Sequence, residues 1–186
     1  MELLTDRLRL RPFRRNDFAS VHSYASDLSN VKYTLFGPNT AKETKRFIAQ
    51  TIESNAFTPR RNYDFVIEKL DSSRVIGACS ICLRAESEAE IGYILHRDFW
   101  NNNYTTEAAK ALIEFGFTEL KLHRIIARCN SENIGSYRVM EKCGMQREAC
   151  FRQSRKLRSE PEGRWYDDYQ YSILDVEFNI MRGKDQ

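Results

Sequence analysis

The chain has 186 residues, of which 41% are apolar and 12% aromatic, and its formal net charge is +3. This length and composition suit one buried core, so we predict a single folded domain over residues 1–186 rather than a disordered or repeat protein. The modest charge and the short apolar runs also argue against nucleic-acid and membrane partners.

Residues 1–14 contain alternating arginine and leucine but no apolar signal-peptide core, which predicts a cytoplasmic protein. The five cysteines are odd in number and lie in apolar segments, so we expect buried free thiols. Cys79 and Cys82 form a C-x-x-C pair, but no second pair of that spacing exists and the three histidines are scattered. We therefore expect no metal or redox site.

The first half of the chain predicts a strand, two helices and a meander. Residues 7–13 alternate charged and apolar side chains, as in a strand with one wet face. Apolar positions recur at helical spacing over residues 16–28, and Thr40 and Glu43 form a capping box before a second helix. Three stretches rich in β-branched and aromatic residues then predict antiparallel strands at 63–70, 75–83 and 89–95.

The second half predicts a strand–helix–strand crossover. A long helix with a wide apolar arc covers about residues 105–120, and a strand follows at 124–129. A second helix over 134–142 begins after Asn133 and ends at Gly144, before two terminal strands. A crossover of this kind implies one parallel strand pair in an otherwise antiparallel sheet, which is an α+β arrangement.

A polar loop over residues 98–103 runs directly into the long helix. Helix N-termini attract phosphate, because unpaired backbone N–H groups and the positive end of the helix dipole point the same way. The amides from Asn101 to Thr106 are therefore candidates for an anion cradle. Spacing alone leaves open the alternative of an ordinary turn at 101–103 followed by Thr105 as a helix cap.

Several segments carry a family resemblance: the strand 90–95 (EIGYIL), Phe99-Trp100, 104–108 (YTTEA) and the later 133–144. In this order and spacing they resemble the GCN5-related N-acetyltransferases (GNAT). The opening segment 5–11 is similar to that of the RimJ/RimL-type ribosomal-protein alanine N-acetyltransferases. The resemblance covers nearly the whole chain.

This resemblance implies a three-layer fold with helices on both faces of a mixed, mostly antiparallel sheet of about seven strands. The central parallel strands would splay apart and receive acetyl-CoA as co-substrate. The implied activity is transfer of an acetyl group to a primary amine, with the α-amine of a protein or peptide as the expected acceptor. The acceptor, the acyl chain length and the choice between monomer and homodimer stay open.

The resemblance also implies a set of cofactor-binding residues, with Ile94 and Leu95 facing the pantetheine arm. Relatives have glycines in the pyrophosphate loop where this chain has Asn101 and Asn103. Asparagine is the non-glycine residue that best tolerates a positive φ, so we expect the loop geometry to survive with weakened affinity. The full predicted set is Ile94, Leu95, His96, Asn101, Asn102, Asn103, Tyr104, Thr105, Thr106, Asn130, Asn133 and Ser136.

Acetyl transfer needs a neutral amine, a polarised carbonyl and a proton for the departing thiolate. Glu90 matches a position where relatives often carry a carboxylate base. The alternative is a solvated charge, because Glu86 and Glu88 share its acidic stretch. Backbone N–H groups near Ile94 are the implied carbonyl polarisers.

Many relatives protonate the thiolate with a tyrosine, but the matching position here holds Met140. Ser136 matches the hydroxyl position of the RimJ/RimL-like members and could hydrogen-bond the CoA sulfur. The alternative is a helix-start residue beside the Asn133 cap. Tyr137 is adjacent to Ser136 in sequence, but on a helix its side chain points about 100° away from that of Ser136, so it is the second candidate. Cys143 fits the core better than a nucleophile, which favours direct attack by the amine.

Three other functions remain open from the sequence. Lost glycines and the missing tyrosine are compatible with a catalytically weak acyl-CoA-binding module. A polyamine or small-amine acetyltransferase is the second possibility. A peptide- or RNA-binding domain could use the arginines of residues 147–164, but acidic residues interleave with them as on a solvated face.

Overall fold

The computed structural model of the protein describes residues 1–160 and 162–184. Its eight strands form one sheet in the order β1-β2-β3-β4-β5-β6-β8-β7. The strands are β1 (Leu3–Leu4), β2 (Leu8–Pro12), β3 (Asn62–Lys69), β4 (Val75–Leu83), β5 (Glu88–Leu95), β6 (Arg124–Asn130), β7 (Gln146–Arg155) and β8 (Tyr166–Leu174). The helices are α1 (Phe18–Ala25), α2 (Leu28–Val31), α3 (Ala41–Ser54), α4 (Tyr104–Thr118), α5 (Ile134–Lys142) and α6 (Asp175–Lys184).

The sheet is antiparallel except where β5 lies parallel to β6, which confirms the predicted crossover through α4. The sheet has eight strands rather than about seven, because β1 is a two-residue strand too short to show a period. The parallel register covers only four residue pairs, from Glu88 with Arg124 to Ile91 with Ala127. Beyond Ile91 the two strands are unpaired, and this opening is called the β5–β6 gap below.

Helices cover both faces of the sheet. On one face, called the helix-α1 face, Val21 of α1 and Ile48 of α3 pack with Val66 of β3. On the other, the helix-α4 face, Leu112 and Ile113 of α4 belong to the main core. Side chains alternate between the two faces along each strand, so the register decides which residues lie side by side on a face.

The predicted helices 105–120 and 134–142 agree closely with α4 and α5, whereas the predicted helix 16–28 ends earlier, at Ala25, and the four-residue helix α2 follows it. Thr40 and Glu43 form the capping box of α3, and the Asn133 side chain caps α5. Gly144 ends α5 with a φ of +79°. The sequence does not predict helix α6, because its apolar residues do not recur at a regular helical spacing. Phe178 and Met181 pack on the core, whereas Val176 and Ile180 are exposed.

A buried ion triad fixes the start of α1 to the sheet. Arg11 of β2 donates to Asp17 at 2.7 Å and to Glu68 of β3 at 2.6 Å, and each of these side chains is less than 10% exposed. The Asp17 carboxylate also accepts from the Arg14 backbone N–H at 2.7 Å. Both hydrogen-bonding ends of the guanidinium are therefore occupied by carboxylates, the arrangement in which a buried arginine is tolerated.

All five cysteines are free, but Cys150 is exposed, so the expectation of uniformly buried thiols was wrong there. Within residues 1–160 and 162–184, no helix is both long and apolar enough to cross a bilayer. The same residues contain no group of three or more His, Cys, Asp or Glu side chains placed to hold a metal ion.

Candidate active site

The β5–β6 gap exposes backbone hydrogen-bonding groups. The His96 N–H donates to the Ile76 carbonyl of β4 at 2.8 Å. Because backbone groups alternate in direction along a strand, the N–H groups of Tyr93 and Leu95 point away from β4 and into the gap. The N–H of Ile94 itself faces β4, so the predicted carbonyl polarisers near this residue are those of its two neighbours.

The loop before α4 has the conformation expected of a glycine-containing anion loop. Asn101 has a φ of +62° and Asn103 a φ of +60°, so both asparagines occupy the left-handed region as expected. Asn103 is the residue at the helix N-cap position, and Thr105 lies inside the first turn rather than capping it. No side chain among the described residues caps this end, which leaves the first-turn N–H groups of α4 available.

The loop side chains turn back onto protein groups. Asn102 donates from Nδ2 to the Trp100 carbonyl at 2.8 Å. Asn103 accepts at Oδ1 from Lys142 Nζ of α5, also at 2.8 Å. Arg7 donates to the Asn102 carbonyl at 3.2 Å and lies over the Tyr104 ring. Arg7 is also ion-paired with Glu107 in the first turn of α4, at 2.6 Å, so its charge is already partnered. Lys142 and the uncapped N–H groups of the helix start therefore form the donor set that suits a phosphate group.

A cavity of about 540 Å³ lies beside the gap on the helix-α1 face. Its walls come from α1, α3, the loop 33–36, the central strands and the segment 155–158 after β7. Aromatic side chains line much of it, including Phe13, Tyr24, Tyr33, Phe36 and Phe47. Three of the predicted site residues also line it, namely Ile94, Asn133 and Ser136.

Ser136 lies at the start of α5 and contacts a tyrosine that sequence reasoning missed. The Tyr93 hydroxyl donates to the Ser136 carbonyl at 2.8 Å, and Ser136 Oγ lies 3.4 Å from the same hydroxyl. Burial raises the pKa of Tyr93 well above its ordinary value and the pKa of the nearby Cys129 thiol to about 11. Both groups therefore stay protonated near neutral pH, where they can donate or accept hydrogen bonds but cannot act as bases.

Glu90 and Tyr137 lie outside the residues that line the cavity. Glu90 accepts two hydrogen bonds from Arg84, at 2.9 and 2.6 Å, across the turn that joins β4 to β5. Tyr137 packs edge-on against Tyr169, with 6.0 Å between ring centroids. The structure thus brings Ser136 to the cavity but not the other two predicted catalytic side chains.

Residues 7–146 match the sequence family described as the acetyltransferase (GNAT) domain. The chain belongs to the GNAT acetyltransferases. It is 37% identical to the uncharacterised N-acetyltransferase YnaD of Bacillus subtilis (strain 168), over 96% of this chain and all of that relative. It is also 33% identical to the uncharacterised N-acetyltransferase p20 of Bacillus licheniformis, over 95% of this chain and 97% of p20.

Solved structures agree with this family. A GNAT-family acetyltransferase from Bacillus anthracis superposes with a TM-score of 0.84 at 34% identity, covering 95% of this chain and 99% of that one. This GNAT protein is an N-acetyltransferase, and proteins of the GNAT fold bind acetyl-CoA. The gap, the loop before α4 and the cavity are therefore the candidate catalytic region of this chain.

Three residues of the predicted cofactor set are engaged elsewhere in this GNAT domain. The Leu95 side chain is buried in the main core, so only its backbone reaches the gap. The His96 ring accepts at Nδ1 from the Asp98 N–H at 3.2 Å. Asn130 is fully buried, and its Oδ1 accepts from the Glu132 N–H at 2.8 Å, which shapes the turn into α5.

Two polar groups in the cavity were not foreseen. Asp64 of β3 lines the cavity, and among the described residues no side chain pairs with its carboxyl group. Burial raises the pKa of Asp64, while the charge of Arg60 partly opposes that rise. The Tyr24 hydroxyl of α1 is also buried without a hydrogen-bond partner in the described chain. The only sequence signal for Asp64 was an acidic residue within a largely apolar strand.

Proposed function

We propose that this N-acetyltransferase transfers the acetyl group of acetyl-CoA to the α-amine of a protein or peptide N-terminus, by direct attack of the amine. The observation that carries this proposal is the cavity beside the β5–β6 gap. It is large enough for a terminal residue, and it combines an unpaired carboxyl group with an arginine-rich wall. The similarity of residues 5–11 to the RimJ/RimL-type enzymes supports the same acceptor.

The residues present fit acetyl-CoA, which supplies an acetyl group activated as a thioester. The first-turn amides of α4 and the left-handed loop at Asn101–Asn103 would hold the pyrophosphate, with Lys142 alongside. Backbone groups of β5 along the gap would pair with the pantetheine arm. The Asn103 side chain is bonded to Lys142 and the Asn102 side chain to a loop carbonyl, so both are turned toward protein groups rather than left free over the helix start.

The chemistry of the transfer is assigned to groups that line the gap and the cavity. The N–H groups of Tyr93 and Leu95 lie about 6.6 Å apart along β5, because a strand rises about 3.3 Å per residue. One of them would stabilise negative charge on the acetyl oxygen, and the other would pair with the pantetheine arm. The Ser136 hydroxyl would hydrogen-bond the departing sulfur, with the phenol of Tyr93 holding the start of α5 in place. Met140 is buried and cannot donate a proton, so no side chain at that position replaces Ser136.

The charges in the cavity wall favour an α-amine over a polyamine. Four arginines line the cavity, against two carboxyl groups at Glu43 and Asp64. Arg46 and Arg128 form no ion pair within the described residues, whereas Arg158 is paired with Glu43. A polyamine would meet unpaired positive charge there, whereas peptide carbonyl and acidic groups would be attracted.

The acid–base properties of the acceptor point in the same direction. An α-amine has a pKa of about 7.7–8.0, so roughly a quarter of it is neutral at about pH 7.4. A lysine amine, with a pKa of about 10.4, is only ~0.1% neutral and starts about 3 kcal/mol less favourably. A site with a single unpaired carboxyl group in its cavity wall therefore suits the more acidic ammonium group.

The test follows thiol release from acetyl-CoA with matched acceptors. An Ala- or Ser-initiated peptide should react faster than its N-blocked, lysine-containing counterpart and faster than spermidine. Mass spectrometry of the product would place the acetyl group on the terminal nitrogen. Spermidine as the best acceptor would contradict the proposal, and the acidic stretch 86–90 would then become the candidate ammonium-binding surface.

A further inference from the structure

Asp64 occupies a defined place relative to the β5–β6 gap. The sheet register pairs Asp64 with Ser80 of β4, and Ser80 in turn with Gly92 of β5. These residues form one row across the helix-α1 face, and all three line the cavity. Since neighbouring strands lie about 4.8 Å apart, Ser80 stands between the Asp64 carboxyl group and the strand that borders the gap.

Gly92 keeps this row open toward the gap. A Cβ atom at Gly92 would meet only the Ser80 hydroxyl, at 3.6 Å. No side chain at position 92 therefore separates Ser80 from the gap. A Cβ atom would also fit at this position without a steric clash, so packing does not require glycine there. The missing side chain leaves space for an acceptor amine next to the Ser80 hydroxyl.

Asp64 is held by its backbone rather than by its carboxyl group. Its N–H donates to Asn55 Oδ1 at 3.2 Å, and its carbonyl accepts from Asn55 Nδ2 at 3.0 Å. The carboxyl oxygens have no side-chain partner among the described residues, although burial already disfavours their charge. A carboxylate that is partly desolvated and unpaired binds a cation more strongly than a solvated one does.

Tyr24 of α1 lines the same cavity as Asp64 and Ser80. Its residue is 2% exposed, its hydroxyl has no partner within the described chain, and burial raises the pKa of the phenol above its ordinary value. The cavity over the helix-α1 face therefore contains two oxygen-bearing groups, at Tyr24 and Asp64, that have no side-chain partner among the described residues.

We propose that Asp64, Ser80 and Tyr24 form the subsite that binds the acceptor amine, and that Asp64 takes up its proton through the Ser80 hydroxyl. Three oxygen atoms match the three N–H bonds of an ammonium group. This inference rests on the proposed amine acetylation, but it concerns the ammonium group and not the peptide that carries it.

The ammonium group gives one proton to Ser80 Oγ while the Ser80 proton moves to the Asp64 carboxylate. The nitrogen lone pair then forms the C–N bond to the acetyl carbon. The C–S bond breaks with its electron pair going to sulfur, and the second amine proton is lost from nitrogen as the thiolate is protonated.

Glu90 is the rival to Asp64, because both are acidic residues near the gap. Two hydrogen bonds from Arg84 occupy the Glu90 carboxylate, and Glu90 does not line the cavity. Glu90 is therefore a paired carboxylate outside the cavity, whereas Asp64 is an unpaired carboxyl group inside it.

The first test measures kcat/KM with acetyl-CoA and an Ala-initiated peptide. We expect Asp64→Asn to lower kcat/KM at least about 100-fold and Ser80→Ala about 10-fold, since general-base catalysis contributes about 10²–10⁴. Glu90→Gln should cause a smaller loss than Asp64→Asn. Asp71→Asn, in an exposed turn away from the cavity, is the matched control and should keep full activity.

The pH profile distinguishes a base from a structural residue. The wild-type to Asp64→Asn ratio should be largest near neutral pH. It should shrink at low pH, where Asp64 in the wild type is protonated, and at high pH, where the amine is already neutral. Two groups interact electrostatically with Asp64, namely Arg60 and Cys79. The other charged and titratable groups that line the cavity with it are Tyr24, Tyr33, Glu43, Arg46, Tyr93, Arg128, Cys129, Arg155 and Arg158.

A binding measurement provides a readout that does not depend on turnover. Calorimetric titration of the peptide into the protein–CoA complex should show weaker peptide binding for Asp64→Asn and Tyr24→Phe. The affinity for CoA itself should be unchanged in both variants, which would also show that they are folded. Unchanged peptide affinity and kcat/KM in Asp64→Asn, with a larger loss in Glu90→Gln, would overturn the proposal.

Ethylamine as acceptor separates this inference from the proposed peptide specificity. If the wild type acetylates ethylamine but not the peptide, the peptide assignment fails, yet Asp64→Asn must still lose turnover on ethylamine. Full ethylamine turnover in Asp64→Asn would remove Asp64 as the base even if the peptide proves to be the natural acceptor.

Discussion

The loop before α4 and the wall of the cavity meet at the β5–β6 gap, but they are built from different parts of the chain. The loop over residues 101–106 offers backbone N–H groups, and its side chains turn back onto protein groups. The cavity wall offers side chains, with Asp64, Ser80 and Tyr24 drawn from three separate elements. One region depends on backbone conformation, and the other on the packing of α1 and α3 against the sheet.

The two regions should therefore tolerate different kinds of substitution. A backbone-built site accepts any residue that adopts the required φ, which explains how asparagines can stand where relatives have glycines. A side-chain-built site depends on the register of β3, β4 and β5 and on the helices that cover them. The following predictions change one region at a time.

The largest effect is expected from the ion triad beneath α1. Asp17→Ala leaves Arg11 buried with Glu68 as its one remaining carboxylate, so the free energy of unfolding should fall by about 3–5 kcal/mol. Urea denaturation monitored by circular dichroism measures this change. Among molecules that stay folded, the KM for the amine should rise while CoA affinity is retained.

The control for this variant is Asp71→Ala, which removes an exposed ion pair with Lys69 and should change stability little. An equal loss of CoA affinity and of acceptor binding in Asp17→Ala would mean that the two regions are not independent.

The next effect concerns the loop. Asn103→Ile places a β-branched residue at a φ of +60°, which costs about 1–3 kcal/mol, and it removes the contact with Lys142. We expect CoA to bind about 10- to 100-fold more weakly, as measured by calorimetry. Asn103→Gly preserves the left-handed conformation and should bind CoA at least as well as the wild type. Unchanged CoA affinity in folded Asn103→Ile would refute the loop assignment.

The smallest effect is expected at the junction of the two regions. Ser136→Ala should lower kcat by a factor of about 10–100 and leave CoA affinity nearly intact, the scale for losing one oriented hydrogen bond or proton donor. Ser87→Ala, at an exposed turn, is the control and should be fully active. Full turnover in Ser136→Ala would leave water to protonate the thiolate.

The sequence predicted the elements that have strong local patterns. Helix α4, the capped start of α5 and the parallel pair were all indicated by periodicity and by the order of elements. Even the left-handed asparagines followed from the intrinsic tolerance of that residue. These features depend on neighbouring residues, or on one crossover, and so they can be inferred locally.

The acceptor side could not be predicted in the same way. The position of Asp64 beside the gap depends on the register of β3, β4 and β5, and the covering tyrosine comes from a helix about 40 residues earlier in the chain. The engagement of Glu90 by Arg84 depends on how one turn folds back. Neither arrangement leaves a periodic pattern, so family resemblance alone directed attention to Glu90.

The four-pair register between β5 and β6 has a consequence for hydrogen exchange. Amide hydrogens within those four pairs are protected by the ladder, whereas the Tyr93 and Leu95 amides lie next to it with no strand partner. In deuterated buffer these two amides should exchange much faster than those of Ala89 and Ile91 in the same strand. Adding CoA should slow the exchange of the Tyr93 and Leu95 amides and leave that of Ala89 and Ile91 unchanged. The difference in exchange rate between the two pairs would then measure whether the gap is occupied.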